Sequence, residues 1–317
     1  MPKPEPAARL VIPAAGPPAP LPSRRRVLRV AHLTDIHVKP ELGIPRGMEA
    51  ALRHLADLPA CRRPDFVING GDAVFDTLDV SADRTKALWT LWNKVMADGC
   101  GLSVEHVIGN HDISGWNRAK SGATGAEPGY GKAWALEMYG LTQPYRSFER
   151  AGWKFVVLDS CMPGPAERGG PGFSYVPRLD EDQFAWLADE LASTPAATPV
   201  CVVSHVPFLS AAALQFMQNG GDDDGWHVPA FLMHVDGRRA TDLFARHPNV
   251  RVVLSGHLHM VDRVDFHHTV YLCDGSVCGD WWKGPFRQFE PGYALVDLFD
   301  DGSCEREYVA WGWKPAP

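Results

Sequence analysis

Oxygen and imidazole donors stand at the ends of a series of short apolar runs. Asp35 and His37 close "VLRVAHLT", Asp72 follows "DFVINGG", and Asn110 with His111 follows "VEHVIG". Further on, His205 follows "PVCVVS", and His257 with His259 follows "VRVVLSG". Carboxylate, imidazole and amide donors without cysteine suit Mn, Fe or Zn better than a thiolate-selecting soft site. Each residue alone has an ordinary structural use. Asp35 could cap a turn, Asn110 could hold a left-handed position, His205 could be a hydrogen-bonded core residue, and Asp72 after two glycines is common in turns. Five strand ends carrying such residues together are poorly explained by coincidence.

The apolar runs themselves are about 4–8 residues long, rich in Val and Ile and bounded by Gly, Asn or Asp, as buried strands are. "KFVVL" before Asp159 is another. Helical spacing lies between them at Met48, Leu52 and Leu55, and at Leu88, Trp92 and Val95. Phe184, Leu187 and Leu191 form a third stripe, which Asp180 and Gln183 should open as a capping box. A shorter helix is expected over 132–139. Strands alternating with helices indicate an α/β architecture, in which sites form beyond the carboxyl ends of strands. The donor residues fall there. "TVYLCDGS" and "GYALVDLFDDGSCEREYVAWGW" read as consecutive strands, with Asp301-Gly302 as a hairpin turn, so the sheet should be mixed. The expected organisation is an extended Pro/Ala-rich arm over 1–26 and one domain over 27–317. Residues 113–145 and 209–229 read as long irregular segments, either functional lids or surface loops.

Composition narrows the partners. The 317 residues are 45% hydrophobic, enough for a sizeable core. A formal charge of −7 argues against extended nucleic acid, which needs a basic face, but not against a small phosphorylated substrate whose charge metal ions offset locally. The seven cysteines are scattered without a CxxC pair and read as reduced thiols. No stretch is long and apolar enough to span a membrane. "SRRR" is followed by "VLRVAHLTDIH" with no apolar export core, so a cytoplasmic location is expected, with export as the alternative if a signal peptide has been trimmed. Homo-oligomer formation stays open.

The motifs "DIH", "GGD", "GNHD", "SH" and "GHLH", in that order from Asp35 to His259, resemble the signature of the calcineurin-like metallophosphoesterase superfamily. That resemblance implies a four-layer α/β/β/α sandwich of two mixed β-sheets flanked by helices, with two metal ions at one edge. Asp35, His37, Asp72 and His259 would hold the first ion. Asp72, Asn110, His205 and His257 would hold the second, the Asp72 carboxylate bridging both, with Mn, Fe or Zn as the ions. His111 matches the family's non-ligand catalytic histidine. The activity implied is hydrolysis of phosphoric esters by a metal-bridging hydroxide.

Departures narrow the branch. "GDAVFDTLD" lacks the Asp-Arg-Gly continuation of the Ser/Thr phosphatases, and it lacks the tyrosine ligand of purple acid phosphatases. The set is most similar to the bacterial cyclic-nucleotide phosphodiesterase (class III) branch, which favours a cyclic nucleotide or other small diester. A phosphomonoesterase or promiscuous phosphatase of the same fold is the alternative, and a catalytically silent binding scaffold is a third reading. The metallo-β-lactamase type is set aside, because its HxHxDH cluster is absent.

Residues that would select a substrate are less sharply marked. In "GDWWKGPFRQFEPGY", Trp281 and Trp282 could stack on a base or aryl group, and Lys283 or Arg287 could meet phosphate. The competing reading has the tryptophans filling the core beneath a loop. Trp116, Asn117 and Tyr130 are further rim candidates, and Asp222 to Asp224 reads as a solvated acidic loop. His32, His54, His106, His227, His234, His247, His267 and His268 have no motif context and are read as structural or surface residues.

Overall fold

The computed structural model describes residues 24–41, 43–164, 175–216 and 225–315. The first sheet contains β1 (Arg26–Leu33), β2 (Phe66–Asn69), β3 (Val104–His106), β12 (Gly292–Phe299) and β13 (Cys304–Ala310), in the order β13-β12-β1-β2-β3. The second contains β4 (Arg146–Arg150), β5 (Trp153–Val157), β8 (Val200–Val203), β9 (Val250–Ser255), β10 (Val261–Phe266) and β11 (Thr269–Asp274), in the order β10-β11-β9-β8-β5-β4. A small hairpin, β6 (Cys161–Pro163) and β7 (Tyr175–Pro177), stands apart. Both large sheets are mixed. β1, β2 and β3 are parallel, and β12 and β13 add antiparallel strands. β5, β8, β9 and β11 are parallel, with β4 and β10 as antiparallel edges.

The helices are α1 (Ile44–Ala56), α2 (Ala82–Gly99), α3 (Arg118–Ser121), α4 (Ala133–Tyr139), α5 (Glu181–Ser193), α6 (Ala212–Phe216) and α7 (Gly237–Ala245). Side-chain alternation on the strands decides the layering, because successive residues point to opposite faces. Leu28, Val30, Phe66 and Ile68 of the first sheet meet Phe155, Val157, Cys201, Val203, Val252 and Leu254 of the second in one apolar layer. Ala31, Leu33 and Val67 face the other way, onto Met48, Leu52 and Leu55 of α1 and Leu88, Trp92 and Val95 of α2. Val156, Val200, Val202 and Val253 face Phe184, Leu187 and Leu191 of α5 and Leu243 and Phe244 of α7. Helices outside and two sheets within make the expected α/β/β/α sandwich.

Several details differ from the sequence reading. Asp180 does cap α5, accepting from the Gln183 backbone N–H at 2.8 Å. The Gln183 side chain does not close the box. It turns inward and pairs with both backbone groups of Asp159, at 2.8 and 3.0 Å, since a buried amide must satisfy both its ends. β4 and β10 carry charged, half-exposed side chains and give no apolar run to read. The tail also divides between layers: β11 joins the second sheet, whereas β12 and β13 form the expected hairpin in the first.

Residues 1–23 of the expected N-terminal arm lie outside the described residues. Arg24 pairs with Glu305, and the Arg25 backbone N–H donates to Asp300 at 2.9 Å, so the chain from Arg24 runs into the hairpin side of the first sheet. Between the sheets, His32 Nδ1 and Asp274 Oδ2 are 2.8 Å apart and fully buried, with Arg306 Nη1 3.4 Å from the other carboxylate oxygen. Buried polar groups of this kind persist only when paired. Among the described residues, no helix is long and apolar enough to cross a membrane.

Candidate metal centre

The carboxyl ends of β1, β2 and β3 deliver Asp35 and His37, Asp72, and Asn110 with His111, the last two on a one-turn 3-10 helix, Asn110–Asp112. The ends of β8 and β9 deliver His205, His257 and His259. All lie in the turns where the strands stop. Asp35, His37, Asp72, His257 and His259 each have positive φ, between 51° and 69°. Non-glycine residues rarely adopt this left-handed backbone, and it persists where surrounding bonds over-determine it. Here the Asp72 carbonyl accepts the N–H groups of both Ile36 and His37 at 2.9 Å. Glycine supplies the space. A Cβ on Gly109 would overlap the backbone nitrogen and the carboxylate of Asp72, and one on Gly256 would overlap Thr34 and Asp35.

The two carboxylates each have one oxygen fixed and one turned to the histidines. Asp72 Oδ1 accepts the His111 backbone N–H at 2.7 Å, while its Oδ2 lies 3.1 Å from His205 Nε2 and 3.7 Å from His37 Nε2. Asp35 Oδ2 accepts from Thr34 Oγ1 at 2.7 Å and from the His257 N–H at 2.8 Å. Its Oδ1 lies 3.4 Å from His259 Nε2 and 3.9 Å from His37 Nε2. Asn110 Oδ1 is 3.2 Å from His205 Nε2.

Backbone carbonyls set the tautomers. His205 Nδ1 and His259 Nδ1 donate to the carbonyls of Gly70 and Gly279, at 2.9 and 2.6 Å. A carbonyl only accepts, so the neutral form of each ring carries its lone pair on Nε2. His257 is reversed, its Nε2 donating to the Phe231 carbonyl at 2.8 Å and leaving Nδ1 free. Metal-binding imidazoles are oriented in this manner.

Donor atoms of Asp72, His205 and His257, of His37, Asp72 and His111, and of His37, His259 and Cys278 lie within 4.8 Å of one another in each group. Asp35 Oδ1 and His37 Nδ1 are buried without a hydrogen-bond partner among the described residues. Buried carboxylates, oriented lone pairs and orphaned polar atoms fit a bound cation, and these Asp and His residues are able to bind metal.

The electrostatics agree. Burial pushes His37 well below the usual imidazole range, with nearby imidazoles adding to the effect, and pushes His257 down to about 4. Both are therefore neutral, as metal ligands must be. Burial alone would raise Asp35 and Asp72, but the surrounding histidines hold both below the ordinary carboxylate range. His205 moves up to about 9: burial opposes its charge, and the Asp72 carboxylate outweighs burial. The cluster thus calls for positive charge at the Asp72–His205 contact.

His111 differs from the other histidines. Its ring edge is partly exposed, and its Nδ1 faces Asp76 Oδ1 at 3.5 Å, long for a good hydrogen bond. Burial disfavours its charge, but Asp72 and Asp76 prevail and raise its pKa. The Trp281 ring lies 4.3 Å from His37, 5.2 Å from His111 and 5.1 Å from His259, at the cluster itself.

Trp282 packs in the core beneath the cluster, its Nε1 3.2 Å from the His37 carbonyl. It is 3% exposed, donates Nε1 to the Ile36 carbonyl at 2.9 Å, and packs on Trp311 and Trp313. Lys283 is exposed, and Arg287 reaches the Phe216 carbonyl of α6. Asn117 bonds Asp79 at 2.7 Å, Tyr130 meets Arg118, and Trp116 faces Lys132. Asp222 to Asp224 lie outside the described residues.

Sequence reasoning missed Asp112, Asp76, Cys278 and Phe231. Asp112, the last letter of "GNHD", accepts the backbone N–H groups of Asp72, Ala73 and Gly109 at 3.0, 2.9 and 2.9 Å and so holds the Asp72 turn. Its place in the motif was the available signal. Cys278 and Phe231 had none, being brought in by loops.

The family profile described as calcineurin-like phosphoesterase matches residues 28–261, most of the chain. The chain belongs to the calcineurin-like phosphoesterase family. It is 28% identical over 171 residues to a 3',5'-cyclic-nucleotide phosphodiesterase of Nostoc sp., a match covering 52% of this chain and 54% of that protein. The match thus spans about half the length of that relative. It is 26% identical to a probable cyclic nucleotide phosphodiesterase of Synechococcus sp., over 90% of this chain and 92% of the relative. Among solved structures, a dimetal phosphatase from Danio rerio aligns with TM-score 0.60 at 15% identity, covering 91% of this chain and 100% of the other, a likeness of fold.

Proposed function

We propose that this calcineurin-like phosphoesterase is a dinuclear phosphodiesterase acting on a small diester such as a cyclic nucleotide. The observation that carries the reading is the position of Asp72 Oδ2, 3.1 Å from His205 Nε2 and 3.7 Å from His37 Nε2. One carboxylate reaching both donor sets is what a two-ion site requires. Asp35, His37 and His259 would complete one ion's shell, and Asn110, His205 and His257 the other's, with Mn, Fe or Zn matching these donors. When bound, the ions would neutralise phosphoryl oxygens and acidify water.

The chain's own groups do the rest. The carbonyls of Gly70, Gly279 and Phe231 keep the ligand rings in register. His111, whose charge burial disfavours and whose pKa the nearby Asp72 and Asp76 carboxylates nonetheless raise, would supply a proton to the departing ester oxygen. The diester preference is supported by the cyclic-nucleotide phosphodiesterases among the relatives. The catalytic unit is one domain that opens with β1 at Arg26, one residue earlier than the sequence reading placed it.

Metal analysis combined with hydrolysis of cyclic nucleotides, bis(p-nitrophenyl) phosphate and matched monoesters tests this. Two metal equivalents and a diester preference are expected. A single equivalent would remove the bridging role of Asp72. Strong monoesterase activity alone would reverse the substrate order.

A further inference from the structure

The adjacent tryptophans of "GDWWKG" have different fates, and the difference is informative. Trp282 serves the core. Trp281 is half-buried, with its indole against His37, His111 and His259. Both have positive φ, 51° and 69°, a conformation disfavoured for bulky side chains. The loop is held there by a bridge between Gly279 and Gly284 and by the Trp282 Nε1 bond to the Ile36 carbonyl at 2.9 Å. A loop tied down on both sides of a strained residue fixes where that residue's ring points.

Phe75, three residues after Asp72, meets Trp281 at 90° with centroids 5.5 Å apart. The two rings form a corner beside His37 and His111. Lys39 Nζ lies over one face of the Phe75 ring, 3.9 Å from its centroid, and the Phe286 ring is 5.7 Å from His259. Two rings at right angles, with a cation against one of them, match a planar aromatic group joined to an anion. Rings prefer stacked or edge-to-face partners, and an aryl or base group against the indole gains both dispersion and electrostatic attraction. An ester oxygen on such a group would also come close to His111.

We propose that Trp281 is the residue that selects the ester arm: with Phe75 it forms a corner for a planar aromatic group attached to the phosphate. The inference rests on the phosphodiesterase reading above and deepens it to a substrate class, aryl or nucleobase-bearing esters over alkyl esters of the same charge.

Calorimetric titration of the metal-loaded protein with phenylphosphonate and methylphosphonate tests it, because the two share a head group and differ in the arm. The wild-type protein should bind the phenyl compound more tightly by about tenfold or more, the scale of one aromatic stack. Trp281→Phe should keep most of that ratio, and Trp281→Leu, apolar but not planar, should lose it while binding methylphosphonate as before. An unchanged ratio in Trp281→Leu would overturn the selecting role and leave the metal centre intact. If Trp281→Leu does not fold, Phe75→Leu carries the same comparison from the other wall. Equal binding of the two phosphonates, or binding of neither, by the wild-type protein would overturn this inference, whereas absence of hydrolysis of any diester by the metal-loaded protein would overturn the phosphodiesterase reading itself.

Discussion

Asp76 Oδ1 stands 3.5 Å from His111 Nδ1, so the histidine proposed to give a proton has a carboxylate beside its ring. Asp76 has left-handed backbone, φ 66°, four residues beyond Asp72 in the turn that Asp112 holds. His111→Gln is expected to lower kcat by about 10²–10⁴-fold, the range for one general acid, with metal content unchanged. The pKa of His111 is raised, so the protonated form persists to higher pH than for a free imidazole. Activity should therefore fall on the alkaline side, and Asp76→Asn should move that fall to lower pH. A pH profile unmoved in Asp76→Asn would remove Asp76 from the mechanism.

Asp72 is 1% exposed and lies between the two donor sets. Asp72→Ala should reduce metal retention by more than about a hundredfold, since even outer-shell changes at such sites cost ~10–100-fold. Elemental analysis after gel filtration reads this directly, and full retention of two equivalents would contradict the bridging assignment.

Gly109 is a steric requirement. Gly109→Ala places a methyl group where the Asp72 carboxylate and backbone nitrogen stand. Overpacking of a tight site costs about 1–3 kcal/mol, and here the atom displaced is a proposed ligand. A lower unfolding temperature and weaker metal binding should appear together. Wild-type metal affinity in this variant would show that the turn can yield.

His106, which the sequence reading left among the structural or surface histidines, stacks on Tyr139 with centroids 4.2 Å apart. Burial, with Arg146 adding to it, depresses its pKa from 6.5 to about 3. Between those values the unfolded chain takes up a proton that the folded chain refuses. Stability therefore falls as pH drops from 6.5 towards 3, by up to about 1.4 kcal/mol per unit from this group. Denaturant unfolding at several pH values should show a shallower acid decline in His106→Gln.

Much of the centre was legible because its donors sit at strand ends, where an apolar run stops and the next polar residue is conspicuous. The apolar runs likewise announced β1, β2, β5, β8 and β9. Edge strands β4 and β10 were not legible, since half-exposed positions need no apolar residue. The roles of Gly70, Gly279 and Phe231 were hidden for another reason: they act through backbone carbonyls, which every residue has. Likewise Trp281 and Trp282 are the same residue type in adjacent positions, and only the loop path separates core from rim.

The donor residues come from both sheets: Asp35, His37, Asp72 and Asn110 from the first, His205, His257 and His259 from the second. Their relative placement is therefore set by how the apolar layer of Val30, Phe66, Phe155 and Val203 seats one sheet on the other. Site geometry tolerates displacements of only about 0.5 Å, far less than folding does. Substitutions deep in that layer, remote from any donor, should thus silence catalysis in molecules that still fold, making turnover a sensitive gauge of sheet alignment.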